Sequence, residues 1–100
     1  MDVLAAIVSR IVAAADPDKI ILFGSRACND VSPDSDYDIL VLKAGDYHKR
    51  KLAQELYVAL ADIPVPIDVV VEDPNRAEEL RDVPGLIYSE ALKGRVLYER

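Results

Sequence analysis

A chain of 100 residues, 51% hydrophobic and 30% charged, has the composition of one globular domain with a single core rather than of a disordered segment. No apolar stretch approaches the length of a membrane span, and Met1-Asp2-Val3 opens with an acid where a signal peptide carries basic residues. The formal charge of −6 argues against direct nucleic-acid binding, which draws on clustered Lys and Arg. The lone Cys28 cannot form an internal disulfide, so a cytoplasmic protein is expected.

From Asp2 to Ala15 the apolar positions Val3, Leu4, Ile7, Val8, Ile11, Val12 and Ala15 make a helical stripe, with Asp2 as cap and Pro17 as stop. Lys19 to Phe23 reads as a short buried strand that ends at Gly24-Ser25. A polar stretch from Arg26 to Ser35 follows, expected to hold a helical turn and then a loop broken by Pro33. The second strand is expected over Asp36 to Leu42, and Asp46 is expected to cap a helix reaching about Ala61. Leu52, Leu56, Ala59 and Leu60 form the buried face of that helix, and the run His48-Lys49-Arg50-Lys51 forms a solvated one.

Pro64 and Pro66 lead to a third strand, Ile67 to Val71. Asp73-Pro74 starts a short helix reaching about Arg81. A last helix is expected from about Pro84 to Leu92, stopped by Gly94, with a final short strand over Arg95 to Tyr98. Short strands alternating with helices predict an α/β (α+β) domain, a small mixed sheet flanked by helices. Cys28 is expected to pack as a small residue, and Tyr37, Tyr57, Tyr88 and Tyr98 to be core or rim aromatics.

The acids are not spread evenly. Asp30, Asp34, Asp36 and Asp38 fall within nine positions, and ten residues separate Ser25 from Asp36. Asp36 and Asp38 stand two apart at the start of a strand, so their side chains are expected on one face with Cα atoms roughly 6.6 Å apart. Asp38 and Asp68 both interrupt apolar runs, where an aspartate is disfavoured without a reason.

The sequence Leu-Phe-Gly-Ser-Arg-Ala, followed by Ser-Asp-Tyr-Asp-Ile-Leu-Val, resembles the minimal nucleotidyltransferases, a branch of the DNA polymerase β-like superfamily, and among them the MntA-type antitoxins. The likeness runs along nearly the whole chain to the closing Leu-Lys-Gly-Arg-Val-Leu-Tyr-Glu. It differs at Cys28-Asn29, where relatives often read Arg-Gly. The resemblance implies that Asp36, Asp38 and Asp68 are catalytic and hold metal, and that Asp68 accepts the acceptor's hydroxyl proton. Magnesium suits such a carboxylate set, because it binds a few carboxylates together with substrate phosphates and waters. Gly24, Ser25 and Arg26 are the expected nucleotide contacts: glycine for close backbone approach, serine at a helix N-terminus, arginine as the nearest cation.

By the same resemblance the reaction is transfer of AMP from Mg-ATP to a tyrosine of a HEPN-family toxin, with this chain as antitoxin. A chain of this length is expected to lack an acceptor-binding domain of its own, so a hetero-complex or homo-oligomer would present the acceptor. Two alternatives stay open: a small-molecule nucleotidyltransferase of the aminoglycoside-modifying kind, and a binding module that neutralises its partner without catalysis.

Overall fold

The computed structural model describes residues 2–24 and 36–100. Helix α1 (Val3–Ala15) starts where Asp2 Oδ1 accepts the backbone N–H groups of Leu4 and Ala5 at 3.1 and 3.3 Å. It ends on Asp16 in the left-handed conformation, φ 46°, and Arg100 clasps the Asp16 side chain. Strand β1 (Lys19–Phe23) follows, then β2 (Tyr37–Leu42), α2 (Lys49–Ala59), β3 (Ile67–Glu72), α3 (Pro74–Glu79), α4 (Tyr88–Ala91) and β4 (Arg95–Glu99).

The four strands lie in the order β3-β2-β1-β4. β1 pairs antiparallel with β2 and β4, while β2 and β3 run parallel. The sheet is therefore mixed and helix-flanked, as the alternation of strands and helices predicts.

Strand alternation divides the apolar residues between two cores. On one face Ile20, Leu22, Ile39, Val41, Val69 and Val71 pack beneath Ile7 and Ile11 of α1 and Leu52 and Leu56 of α2. On the other, Ile21, Phe23, Leu40 and Leu42 meet Ala77 of α3 and Ala91 of α4. Burial on both faces explains why β1 and β2 read as continuous apolar runs rather than alternating ones.

Three local expectations are corrected. Asp46 does not cap α2: Tyr47 packs against the first core and donates from its hydroxyl to Lys43 O at 2.6 Å, and the helix starts after His48, whose Nδ1 accepts from Lys51 N at 3.1 Å. Ala59 is half-buried, so the buried face of α2 is Leu52 and Leu56, continued by Leu60 at its end. α4 is far shorter than Pro84 to Leu92, because Gly85 takes φ +85° and turns occupy the preceding residues.

Gly94 is more than a helix stop. A Cβ there would come within 2.4 Å of Leu22 O, so its smallness lets the turn into β4 close onto β1.

Candidate active site

The acids gather at one end of the sheet, on the face that carries α3 and α4. Asp38 lies near the start of β2, where its register partners are Phe23 of β1 and Asp68 of β3. Parallel register places Asp38 and Asp68 side by side, and both share the side-chain parity of Leu40 and Val70, which belong to the second core. Asp36 stands one residue before β2 and is exposed. The chain is fixed immediately after it, where Tyr37 N donates to Pro66 O at 2.9 Å and ties the entry of β2 to that of β3.

Gly24 forms the inner wall. It follows β1 with φ +77°, and a Cβ built on it would fall 2.3 Å from Asp38 Oδ2. The left-handed backbone favours glycine, and any side chain there would displace the Asp38 carboxylate. Gly24 therefore presents bare backbone to the Asp38 carboxylate. Ser25 and Arg26, with Cys28 and Asn29, lie outside the described residues.

Burial pushes the Asp38 carboxyl above the ordinary carboxylate range, and the negative charges of Asp68, Asp36 and Glu90 push it further in that direction. Glu90 comes from α4 and is a third acid acting on Asp38, one that the motif spacing does not reveal. A second residue missed by sequence reasoning is Tyr57 of α2, whose hydroxyl lies 3.2 Å from Asp68 Oδ1. Neither carries a sequence signal: each sits on a helix, one residue from a buried position, and reaches the site only through the packing of that helix.

Among the described residues, no three His, Cys, Asp or Glu side chains are gathered closely enough to hold a metal by themselves. The donor chemistry fits magnesium in its substrate-dependent mode, in which one or two carboxylates bind the ion and phosphate oxygens and water complete the shell. A cation beside Asp38 and Asp68 would relieve the repulsion that raises the Asp38 pKa. Asp36 and Asp68 are exposed, so this is an open acidic rim. A cavity of about 360 Å³ between α1 and β4 is lined by none of the three aspartates. No helix among the described residues is long and apolar enough to cross a membrane.

Residues 6–100 match the family model described as Polymerase beta, Nucleotidyltransferase. Two solved structures share the fold. One is a toxin-antitoxin with AMP-PNP, 22% identical, with a TM-score of 0.59 over 97% of this chain and 73% of that one. The other is a mutant of the toxin-antitoxin MntA-HpeT, 20% identical, with a TM-score of 0.56 over the same 97% and 73%. Comparison with curated proteins gives no significant match.

Proposed function

The chain belongs to the polymerase β nucleotidyltransferase family, and from that premise we propose that it transfers AMP from Mg-ATP to a tyrosine hydroxyl of a HEPN-family toxin. The whole chain would act as one minimal nucleotidyltransferase domain and as the antitoxin of the pair. The observation that carries this reading is the side-by-side register of Asp38 and Asp68 against the bare backbone of Gly24. Two structural neighbours are toxin-antitoxin proteins and one holds AMP-PNP, which supports both the nucleotide and the kind of partner.

The residues divide the work as follows. Asp36 and Asp38, with Asp68 beside them, would hold magnesium, which would neutralise triphosphate charge as a Lewis acid. Gly24, Ser25 and Arg26 receive the polyphosphate. The acceptor's phenol oxygen bonds to the α-phosphorus, the bond from that phosphorus to the leaving pyrophosphate breaks, and the phenol proton passes to Asp68. An open rim with exposed Asp36 and Asp68 supports a protein acceptor over a small molecule, which calls for an enclosing pocket.

Intact-mass spectrometry of the partner tests this. Co-expressed with the wild-type chain, the partner gains AMP; with the Asp36→Asn, Asp38→Asn double variant it gains none and stays toxic. A partner left unmodified by the wild type, yet neutralised by the double variant, would overturn catalysis in favour of binding alone.

A further inference from the structure

We infer that Tyr57 is a positioning residue for Asp68, a role that rests on the transferase reading above. Among the described residues β3 is an edge strand of the sheet, and none of their strands lies beyond Asp68 to restrain its exposed side chain. Helix α2 supplies the restraint. Tyr57 is 43% exposed, and its hydroxyl reaches the open edge of β3, where it accepts the backbone N–H of Val69 at 3.0 Å. The same oxygen lies 3.2 Å from Asp68 Oδ1 and 3.4 Å from Val69 O.

A phenol has one proton to give. With its oxygen already accepting from Val69, the hydroxyl donates either to a carboxylate or to a more distant neutral carbonyl. The charge-assisted bond to Asp68 is the shorter and the stronger of the two. Val69 is a rigid anchor: its side chain is buried in the first core and its register partner is Ile39 of β2. The backbone therefore fixes the hydroxyl, and the hydroxyl fixes one carboxylate oxygen.

Among the described residues, Tyr57 is the group that hydrogen-bonds the Asp68 carboxylate. An exposed aspartate beside Asp38 would otherwise sample several rotamers, most of them turned from the acceptor. Holding it within a fraction of an ångström is the usual work of a residue behind the reacting shell.

Tyr57→Phe removes the hydroxyl and keeps the ring. The rate of AMP transfer at saturating Mg-ATP is expected to fall roughly 10- to 100-fold, with KM for Mg-ATP changed by less than about twofold. Val58→Ala, a largely exposed neighbour on the same helix, is expected to change neither. In the chain free of metal and nucleotide, the Asp68 side-chain carboxyl carbon signal should move on Tyr57→Phe while that of Asp36 stays in place. A Tyr57→Phe variant that transfers within about twofold of wild type, or an unmoved Asp68 signal, would overturn the inference. Peptide mass spectrometry finding AMP on Tyr57 would make it an acceptor and overturn it too. A wild type that transfers nothing would remove the transferase reading and this role together; an active wild type with an unimpaired Tyr57→Phe removes this role alone.

Discussion

At Asp38, stability and chemistry pull in opposite directions. Burial and three neighbouring carboxylates hold its pKa above the ordinary range, so the charged form is disfavoured in the fold relative to the unfolded chain. A raised folded pKa means that the group's stabilising contribution is present below the unfolded pKa and lost as pH rises through the folded one. Asp38→Asn is therefore expected to melt above the wild type at neutral pH, with the gap closing as pH falls through the raised Asp38 pKa and gone by about 4, the ordinary aspartate value. Thermal unfolding of both proteins across that range checks it; a variant no more stable than wild type at neutral pH would contradict the electrostatic account. The acids were legible from sequence because a two-residue spacing on a strand has one geometric consequence. Gly24 was legible only in part. Close phosphate approach was the expected reason, whereas the Asp38 carboxylate itself fills the space a Cβ would take.

At the scale of elements, Glu72 joins three helices at the end of β3 away from Asp68. It is 7% exposed at the end of β3 and accepts from Lys49 Nζ at 2.7 Å, from Asp73 N at 3.1 Å and from the Tyr88 hydroxyl at 3.4 Å. One carboxylate thus links the first turn of α2, the entry to α3 and the start of α4. Burial, followed by the Glu72 charge, raises the Tyr88 phenol pKa, so Tyr88 stays protonated as a donor. Lys49→Met is expected to cost about 1 kcal/mol, below the usual range for a charged hydrogen bond because the lysine is half in solvent. For a domain of this size that lowers Tm by roughly 4–8 °C. Adding Glu72→Gln should recover part of the loss, and a double variant as unstable as the sum of the singles would contradict the coupling. The sequence could not show this link, since Lys49 reads as one of a solvated basic run and Glu72 as the end of a strand. The start of α2 was misplaced for a similar reason: Asp46 has the residue type of a cap, but the packing of Tyr47 moves the first turn beyond it. Helix periodicity and short apolar runs showed the order of strands and helices, whereas the second core came to light only in the packing of α3 and α4.

Over the whole molecule, a cation between them would reconcile the excess of acid with the proposed nucleotide substrate. The net charge of −6 is expressed locally as a rim of Asp36, Asp38 and Asp68, with Glu90 near Asp38, at one end of a sheet whose two cores hold it still. Because no three described side chains form a metal cage unaided, ion and triphosphate should load as a unit, each supplying what the other lacks. Calorimetric titration of ATP into the chain, with and without magnesium and repeated on Asp38→Asn, tests that claim most directly. The expected result is binding heat from the wild type with magnesium present, none without the ion, and loss of most of the affinity in Asp38→Asn. Equal binding under all three conditions would place the nucleotide elsewhere and contradict the assignment of the acidic rim.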